Sequence, residues 1–548
     1  MSEQGAPTQD GSLNASTPHK TLPPLRRNDS FAYHELANPQ ILPSTPITLH
    51  QEEDGIASLS CSDNVQHNIQ RRKNNQSPSK HYVIVMVGLP ARGKSYIARQ
   101  LAKYLNWLNI DCKVFNAGEK RRELLGSGQS SSFWDTANKE GQEQRKRIGM
   151  ITLHELADWL EQEEPEQSKA QIYGSGNYAE EYIKRELKCG IFDATNTTIE
   201  RREMIIKYLT DPTQRKYPLE LSHIIFVESI CDLQEIIEGN IRDIKTKSAD
   251  YKGVPSEEAI KDFIQRMKAY EKVYETICDE KEGKLSYIKM INVGNKFILN
   301  RIGGYVPGKV NQCLMNIHLT PRVIWLSRHG ESMDNIKGLL GGDSNLSDRG
   351  LCYSKVLYEF VKKKQEERKT QEISIDKPPL DNMMVWTSLL KRTQQTSQHF
   401  KKDDDFRVVR WRCLNELDAG VCEGYTYERI KEEMPHEYLA READKFRYRP
   451  QNGESYLDMI YRIEPAITEL ERQRCPLLII GHQAVNRILY SYLTGNRPET
   501  CTRIPIPLHT VIEIIPNAYG YEEHRYDLND EVQREYELFL QKTGQNNL

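Results

Sequence analysis

The chain has 548 residues, enough for three or four domains, or for two large ones beside a disordered segment. Its 75 lysines and arginines nearly balance its 78 aspartates and glutamates, and the net charge of −3 argues against a nucleic-acid-binding protein. We expect a cytoplasmic protein, because no apolar run is long enough to span a bilayer, no signal peptide is evident, and the 11 cysteines form no CxxC pair.

The first 80 residues are predicted to be a disordered regulatory N-terminal segment. They hold 8 of the 25 prolines and show no apolar periodicity that could build a core. Ser30 lies three residues after Arg27, and Ser77 precedes a proline, so both resemble target sites of protein kinases. Short patterns of this kind also arise by chance in a serine-rich segment, and both interpretations stay open.

Order is predicted to begin at HYVIVMVGLPARGKS, where a β-branched run leads into a glycine-rich loop and then a helical pattern. The loop matches G-x-x-x-x-G-K-[ST] at Gly88, Gly93, Lys94 and Ser95. In such a loop the backbone N–H groups surround phosphate oxygens, the lysine reaches the β and γ phosphates, and the hydroxyl binds Mg²⁺. The pattern therefore predicts nucleotide binding; the alternative is a glycine-rich turn before an ordinary helix.

Further apolar strands, CGIFDAT, SHIIFVES and LSYIKMINV, alternate with amphipathic stretches, which predicts a parallel sheet covered by helices. Asp193 ends the first of these strands and is a candidate for holding the metal. Arg266 and Tyr270 lie four residues apart on one helical face. Basic residues that could bind an anionic acceptor are Arg121, Arg122, Arg145, Arg201, Lys245 and Arg266. The polar stretch 161–181 is predicted to be a surface insertion.

A second domain is predicted after the glycines and proline of 301–312, with a new strand from Val323. The strands MMVWTS, VVRWRCL and PLLIIGHQ repeat the α/β pattern, and the charged stretch KKKQEERKTQE is predicted to be a loop. Beyond about residue 516 the chain is predicted to be a polar tail.

His329 follows a predicted strand and is a candidate nucleophile for phosphoryl transfer. A neutral imidazole can carry a phosphoryl group if cations neutralise its oxygens and an acid protonates the leaving alcohol. Arg328 and Arg392 could supply the positive charge, and His482 ends the strand PLLII. Glu416 is the candidate general acid, with Glu331 as its rival.

Four segments of the second half, SRHGES, LSDRG, the pattern S-x-x-x-R-x-x-x-T at Ser388, Arg392 and Thr396, and GHQ, together resemble the histidine phosphatase superfamily. With the P-loop half, the chain resembles the 6-phosphofructo-2-kinase/fructose-2,6-bisphosphatase family from about residue 81 to about 516. The resemblance implies two doubly wound α/β domains. They are a P-loop NTPase-like kinase at 81–319 and a phosphoglycerate mutase-like bisphosphatase at 320–516, between the N-terminal segment 1–80 and the tail 517–548.

The resemblance implies an enzyme that makes fructose 2,6-bisphosphate from fructose 6-phosphate and ATP with Mg²⁺, and hydrolyses it through a phosphohistidine. ATP would be bound by Gly88, Leu89, Pro90, Ala91, Arg92, Gly93, Lys94, Ser95, Tyr96, Asn240 and Lys245. Mg²⁺ would be held by Ser95 and Asp193. The kinase centre would contain Lys94, Asp193 and Cys231, although the apolar neighbours of Cys231 equally suit a packing role.

The resemblance also assigns the two sugar phosphates. Fructose 6-phosphate would be bound by Arg121, Arg145, Thr195, Arg201, Lys245, Arg266 and Tyr270. Fructose 2,6-bisphosphate would be bound by Arg328, Asn335, Gly341, Arg392, Tyr427, Arg441, Lys445, Tyr456, Gln483 and Arg487. His329 would take the 2-phosphate, Glu416 would protonate the sugar oxygen, and His482 would help to bind the phosphoryl group. The enzyme would control glycolysis against gluconeogenesis.

Several alternatives stay open. The family resemblance suggests a homodimer, and insertions at 161–181, 209–222 and 361–381 leave its subunit geometry undetermined. The enzyme could work mainly in one direction, or be a catalytically silent metabolite sensor, although no expected catalytic residue is missing. A polynucleotide kinase-phosphatase has a comparable architecture, but the near-neutral charge argues against it.

Overall fold

The computed structural model describes residues 81–129, 131–135, 137–162, 187–245, 249–251, 254–318, 322–374, 382–517 and 520–543. The predicted N-terminal segment, with Ser30 and Ser77, lies outside the described residues, as does most of the predicted insertion at 161–181. The described residues form two six-stranded sheets with helices packed against them, which confirms the predicted α/β class.

The first sheet consists of β1 (Tyr82–Val87), β2 (Asp111–Asn116), β3 (Lys188–Asp193), β4 (Ile224–Ile230), β5 (Ser286–Ile291) and β6 (Lys296–Asn300). Its order is β2-β3-β1-β4-β5-β6, parallel throughout except for β6, which runs antiparallel to β5. β1 is central, and its alternate side chains enter different apolar clusters: Ile84 and Met86 join one, and Val83 and Val85 the other. Burial on both faces explains why β1 is apolar throughout.

The helices of the first half follow their strands as the sequence pattern predicts. They are α1 (Lys94–Trp107), α2 (Ala117–Leu125), α3 (Lys139–Glu161), α4 (Ile199–Thr210), α5 (Gln234–Gly239), α6 (Ser256–Glu271), α7 (Asp279–Glu282) and α8 (Tyr305–Asn316). Local capping fixes several starts, because the side chains of Asn116, Asn138 and Thr198 accept backbone N–H groups of α2, α3 and α4.

The second sheet consists of β7 (Ile324–Arg328), β8 (Met383–Thr387), β9 (Phe406–Arg410), β10 (Leu477–Gly481), β11 (Thr510–Asn517) and β12 (Gly520–Asp527). Its order is β12-β11-β7-β10-β8-β9. β7, β10, β8 and β9 are parallel, while β11 runs antiparallel to β7 and to β12. The carboxyl ends of β7 and β10 therefore lie side by side.

The helices of the second half cover this sheet. They are α9 (Met333–Lys337), α10 (Asp348–Ser374), α11 (Lys391–Thr396), α12 (Tyr427–Glu433), α13 (Pro435–Ala443), α14 (Tyr456–Arg472), α15 (Gln483–Thr494) and α16 (Asn529–Thr543). Short 3₁₀ segments occur at Ser131–Trp134, Leu221–His223, Ala249–Tyr251, Phe400–Lys402, Arg412–Leu414, Gly420–Cys422 and Pro498–Arg503, and Asn240–Lys245 forms a π-helical turn.

The prediction of a loop at KKKQEERKTQE is wrong, because these residues belong to α10, which continues to Ser374. Lysine, glutamine, glutamate and arginine are good helix formers, and charge alone does not indicate a loop. Lys362 pairs with Asp403 at 2.7 Å, and Lys369 pairs with Asp405 at 3.1 Å, so the charged side chains anchor this helix beside the sheet. The remainder of the predicted 361–381 insertion, from 375 onwards, lies outside the described residues.

The prediction of a polar tail from residue 517 is also wrong, because β12 and α16 lie in this part of the chain and belong to the second α/β half. β12 pairs with β11 along its whole length, and α16 packs against α10. Leu528 and Val532 enter the apolar cluster on one face of the sheet, and Lys355 pairs with Glu535 at 2.8 Å. The polar pattern of β12 reflects an edge strand with exposed side chains.

The glycine-rich stretch 301–312, at which a domain boundary is predicted, continues into a helix: its residues from 305 onwards form the first two turns of α8. Pro307 lies in the first turn of α8, where its missing N–H costs no helical hydrogen bond. α8 packs against α1 and α14, and one apolar cluster runs from the first sheet through these helices to the second. The predicted insertion 209–222 folds into the end of α4, a turn and the 3₁₀ segment at Leu221.

Candidate functional sites

The glycine-rich loop connects β1 to α1 and has the backbone geometry that its sequence requires. Gly88 has φ +133°, and a side chain there would lie 2.5 Å from the carbonyl oxygen of Ser229 on β4. The Gly88 N–H donates to the Thr195 carbonyl at 2.9 Å, just beyond β3. Gly93, the residue before α1, has φ +80°. The loop is thus fixed between the carboxyl ends of β3 and β4, with glycine required at residue 88.

Side chains from neighbouring segments support the loop. The Ser229 hydroxyl donates to the Arg92 carbonyl at 2.5 Å, and the Asn240 side-chain amide donates to the Ala91 carbonyl at 3.0 Å. Lys94 is buried, and its Nζ donates to the Leu89 carbonyl at 2.5 Å, so its ammonium group lies over its own loop. These contacts fix Leu89, Ala91, Arg92 and Lys94 of the loop predicted from 88 to 96.

Asp193 is buried at the end of β3 and accepts a hydrogen bond from the Asn116 side chain, at the end of β2. The Tyr96 hydroxyl instead donates to the His318 carbonyl at 3.1 Å, on the side facing the second half. Cys231 is buried in an apolar cluster that also contains Ala91 of the loop. Its surroundings support a packing role for this thiol.

Three of the predicted arginines gather around a tryptophan that the sequence reasoning missed. The Arg266 guanidinium lies 3.6 Å from the Trp134 ring centroid, Arg121 lies at 5.2 Å and Arg145 at 5.9 Å. Tyr270 contacts the same indole with ring centroids 5.9 Å apart. Trp134 therefore acts as a common platform for this arginine cluster.

A second missed residue, Asp250, places a carboxylate among these arginines. Its two oxygens lie 2.5 and 2.6 Å from one guanidinium nitrogen of Arg121. The same carboxylate lies 3.6 Å from Arg122 and 3.9 Å from Arg266. A carboxylate bound this way marks the cluster as an anion-binding surface.

The electrostatics of the cluster reflect its burial. Burial lowers the pKa of Arg201 to about 10, and Tyr270 opposes this shift; burial also lowers the pKa of Arg145 and Arg266. The would-be Cβ of Gly149 overlaps the Arg201 guanidinium, so glycine on α3 makes room for this side chain. Thr195 is half-buried beside the loop, and the side chain of Lys245 lies outside the described part.

The second site lies where β7 and β10 end. The His329 backbone N–H donates to the Gly481 carbonyl at 3.0 Å, and the imidazole rings of His329 and His482 are 5.2 Å apart. Both histidines are buried. Adjacent parallel strands thus bring together two residues that are 153 positions apart in the sequence.

Hydrogen bonds define the tautomer of His329. Its Nδ1 lies 2.7 Å from the Gly330 carbonyl oxygen, which requires the proton on Nδ1 and leaves the lone pair on Nε2. Burial, followed by the charges of Arg392 and Arg328, holds the pKa of His329 well below its usual 6.5. The imidazole is therefore neutral at physiological pH, as a nucleophile must be.

His482 has the opposite arrangement. The Arg392 Nε donates to His482 Nδ1 at 3.3 Å, and His482 Nε2 lies 2.8 Å from the Ser388 hydroxyl, so the proton belongs on Nε2. The pKa of His482 is also well below 6.5, because of burial and the nearby Arg392. These contacts explain part of the pattern S-x-x-x-R-x-x-x-T, because Ser388 and Arg392 orient the imidazole of His482.

Thr396, the last member of that pattern, supports the loop after the other histidine. Its hydroxyl accepts the Gly330 N–H at 3.0 Å and donates to the Arg392 carbonyl at 2.7 Å. A side chain at Gly330 would meet the Gly350 carbonyl at 2.5 Å. The glycines of RHG and DRG must therefore pack directly on each other, which explains why those two segments occur together.

Glu416 and Glu331 occupy different environments. The Glu416 carboxylate accepts the backbone N–H groups of Gln483 at 2.9 Å and Ala484 at 3.2 Å, at the start of α15. Its charge acts on both Arg328 and Arg392. Glu331 accepts the Ser347 hydroxyl at 2.7 Å and faces His509. The position of Glu416 beside the two arginines favours it over Glu331.

Further cations extend from this centre towards the surface. Arg487 donates to the Tyr456 hydroxyl at 3.1 Å, and Arg441 donates to the Tyr427 hydroxyl at 2.9 Å. Burial and the neighbouring Arg441 and Arg487 lower the pKa of Lys445 to about 8. These contacts and charges link five of the predicted bisphosphate residues, Tyr427, Arg441, Lys445, Tyr456 and Arg487.

Two predicted residues have structural roles of their own. The Asn335 Oδ1 accepts the Ser332 N–H in a capping box at the start of α9. Gly341 has φ +71°, and a side chain there would collide with Glu423.

The sequence patterns did not identify His509 as a residue of this site. It is buried near Arg328 and Glu331 and packs on Tyr353 at 4.8 Å, but it belongs to no recognisable motif.

Within the described ranges, no helix is long and apolar enough to cross a membrane. In the same ranges, no group of three or more His, Cys, Asp or Glu side chains is placed to hold a metal ion.

Comparisons with known proteins match both halves. The family described as 6-phosphofructo-2-kinase matches residues 69–181 and 176–321, and the histidine phosphatase superfamily (branch 1) matches 324–529. A chicken (Gallus gallus) 6-phosphofructo-2-kinase/fructose-2,6-bisphosphatase is 40% identical over 450 residues, covering 82% of this chain and 85% of the relative.

Two other relatives agree. The human (Homo sapiens) 6-phosphofructo-2-kinase/fructose-2,6-bisphosphatase 3 is 40% identical and covers 82% of this chain and 77% of the relative. An Arabidopsis thaliana relative with the same enzyme name is 42% identical over 456 residues, and this chain spans only 54% of its length. Since both halves match in order and at this identity, the chain belongs to the 6-phosphofructo-2-kinase/fructose-2,6-bisphosphatase family.

Proposed function

We propose that this protein both synthesises and hydrolyses fructose 2,6-bisphosphate, at two separate sites. The observation that carries the proposal is the pair of phosphate-handling centres, each at the carboxyl ends of its own sheet: a P-loop beside an arginine cluster, and a neutral histidine between arginines. Each half contains the groups that its own reaction needs.

In the kinase half, ATP binds along Gly88 to Tyr96, with Asn240 and Lys245 as further contacts. Lys94 neutralises the transferring γ-phosphoryl group. Ser95 and Asp193 offer a hydroxyl and a carboxylate, the hard oxygen ligands that suit Mg²⁺ with phosphate oxygens, and the bound ion would neutralise phosphate charge. Tyr96, whose hydroxyl contacts His318, contributes through its backbone. Cys231 supports the loop by packing.

Fructose 6-phosphate binds at the arginine cluster. Its phosphate would displace the Asp250 carboxylate from Arg121 and Arg266, since both anions use the same guanidinium groups. The 2-hydroxyl then attacks the γ-phosphorus of ATP, the bond from that phosphorus to the ADP oxygen breaks, the hydroxyl proton passes to solvent, and ADP departs. The residues proposed to hold the sugar phosphate are Arg121, Arg145, Thr195, Arg201, Lys245, Arg266 and Tyr270.

In the phosphatase half, His329 Nε2 attacks the 2-phosphorus while the bond to the sugar oxygen breaks. Glu416 acts as the general acid and gives a proton to that oxygen, and fructose 6-phosphate leaves. The Glu416 carboxylate then takes a proton from water, which attacks the phosphorus of the phosphohistidine. The P–N bond breaks, inorganic phosphate leaves, and the imidazole is restored. Arg328 and Arg392 donate hydrogen bonds to the phosphoryl oxygens, and His482 can add its Nε2 N–H when that group turns from Ser388 to the substrate. The remaining residues proposed to hold the bisphosphate are Asn335, Gly341, Tyr427, Arg441, Lys445, Tyr456, Gln483 and Arg487.

We also propose that the protein is a cytoplasmic homodimer whose N-terminal segment is regulated by protein kinases at Ser30 or Ser77. We retain a division into a kinase domain to residue 319 and a phosphatase domain from residue 320.

ATP-dependent synthesis tests the kinase assignment. Purified protein with ATP, Mg²⁺ and fructose 6-phosphate should form an acid-labile sugar bisphosphate, and Lys94→Met should reduce the rate at least a hundredfold. Lys207→Met, on an exposed part of α4, is the matched control and should leave the rate unchanged. Equal rates in the two variants would refute the role of the P-loop.

A further inference from the structure

A cleft lies where the first half meets the second, away from both catalytic sites. It has a volume of about 560 Å³ and is bounded by α1, β2, Trp159 of α3 and the end of α15. The side chains and glycine that line it are Arg99, Lys103, Asn106, Trp107, Asp111, Cys112, Lys113, Trp159, Ser491, Tyr492, Gly495, Asn496 and Arg497. This space is large enough for a small metabolite.

The lining is cationic. Arg99, Lys103, Lys113 and Arg497 carry positive charge, and Asp111 is the acid among the lining residues. Lys103 also pairs with Glu471 at 3.2 Å, which fixes its ammonium group at the cleft wall. The cations come from both halves of the chain, so an anion in the cleft would contact both. Guanidinium groups from two sides suit a dianionic phosphate better than a singly charged ligand.

Trp107, one of the residues that line the cleft, also has a hydrogen-bond donor without an acceptor in the described part of the chain. Trp107 is 2% exposed, and its indole Nε1 has no hydrogen-bond partner among the described residues. Its ring is held edge-on against Tyr492, with centroids 5.5 Å apart. Burying an N–H without an acceptor is unfavourable, and an anionic oxygen would supply the missing acceptor.

The position of the cleft connects it to both catalytic sites. α1 begins at Lys94 of the P-loop and ends at Trp107, about 20 Å away along the helix. α15 begins at Gln483, beside His482, and ends at the cleft. A ligand there would contact the far ends of the two helices whose first residues belong to the two sites.

We propose that this cleft is a binding site for the phosphate group of a small phosphate ester, distinct from both substrate sites. Arg99, Lys113 and Arg497 provide the charge, the Trp107 N–H donates to a phosphate oxygen, and the half-buried ring of Trp159 contacts the organic part. The inference does not rest on the function proposed above, because it concerns residues that neither reaction uses.

Fluorine NMR of the full chain labelled with 5-fluorotryptophan tests the site. The six tryptophans include Trp107 and Trp159 in the cleft and Trp134 in the arginine cluster, so each resonance reports a different place once Trp→Phe variants assign it. Inorganic phosphate, titrated at constant ionic strength, should shift the Trp107 resonance to saturation. Acetate over the same range should not.

The variant Arg99→Gln/Arg497→Gln should raise the phosphate dissociation constant read at Trp107 at least tenfold, while the Trp134 titration stays as in the parent. Arg472→Gln/Arg534→Gln, which changes two exposed arginines on α14 and α16, is the charge-matched control and should behave as the parent. If the double variant fails to fold, the exposed Arg497→Gln alone should raise the constant at least threefold. An unmoved Trp107 resonance, an equal response to acetate, or an unchanged constant in the arginine variants would overturn the proposal.

Discussion

Gly330 and Thr396 are joined by a hydrogen bond of 3.0 Å from the backbone N–H of one to the hydroxyl of the other. This bond fixes the chain directly after His329. Thr396→Val keeps the shape of the side chain but leaves the buried Gly330 N–H without its acceptor. We expect the phosphatase kcat to fall about tenfold, equivalent to ~1.4 kcal/mol in the barrier, with kinase activity unchanged. Thr396→Ser should restore most of the rate, and failure of serine to do so would contradict a role through the hydroxyl.

Trp134 should determine affinity for the sugar phosphate, because Arg121, Arg145 and Arg266 all lie against its ring. Trp134→Leu removes the flat platform and lets the guanidinium groups shift. The KM for fructose 6-phosphate should rise at least tenfold, while the KM for ATP changes less than twofold. Steady-state kinase assays measure both, and the phosphatase rate of the same variant shows whether the chain is intact. Equal increases in the two KM values would argue against a specific role.

Lys445 should give the phosphatase an alkaline limit. Its pKa is lowered to about 8, by burial and by Arg441 and Arg487, so the side chain loses its charge as the pH rises through 8. The kcat/KM for fructose 2,6-bisphosphate should therefore fall above pH 8, since this ratio reports the free enzyme. Lys445→Arg keeps the charge and should abolish that fall. A profile with the same alkaline limit in both proteins would assign it to another group.

Glu471 should stabilise the junction between the two halves in a pH-dependent way. Burial raises the pKa of its carboxyl, but Lys103 and Arg322 outweigh burial and lower it from 4.5 to about 2. A carboxyl group whose pKa is lower in the folded than in the unfolded protein stabilises the folded state at pH values above its unfolded pKa. That contribution, about 3 kcal/mol, should be lost as the pH falls from about 5 towards 2.

Urea unfolding at pH 7 checks this. Glu471→Gln should lower the free energy of unfolding by about 2 to 3 kcal/mol and flatten its dependence on pH below 5. Glu469→Gln removes an exposed pair with Arg472 on the same helix and should cost less than about 0.5 kcal/mol. Similar losses in the two variants would contradict a special role for Glu471.

The centres of both sites could be predicted because their residues follow strands in continuous segments. The P-loop places Lys94 and Ser95 by local geometry, and RHG places His329 at a strand end. Trp134 and Asp250 could not be found this way. They lie in short 3₁₀ segments, and Asp250 contacts Arg121 across 129 positions, a separation at which local patterns carry no information.

The errors in the fold have a related cause. Residues 362–372 and 529–543 are rich in charged side chains, and charge alone does not distinguish a solvated helix from a loop or a tail. In both helices a few apolar or paired side chains, such as Val532, Lys355 and Lys362, attach an otherwise solvated element to the sheet. Such attachment depends on the partner strand or helix, which a single segment of sequence does not reveal.

The phosphoenzyme formed from fructose 2,6-bisphosphate carrying ³²P at the 2-position tests the central claim most directly. The parent chain should become labelled, the label should survive alkali but not acid, and Lys94→Met should label equally well. His329→Ala should acquire no label while still making the bisphosphate from ATP and fructose 6-phosphate. Label on His329→Ala, absence of label on the parent, or loss of synthesis in His329→Ala would contradict two separate sites in one chain.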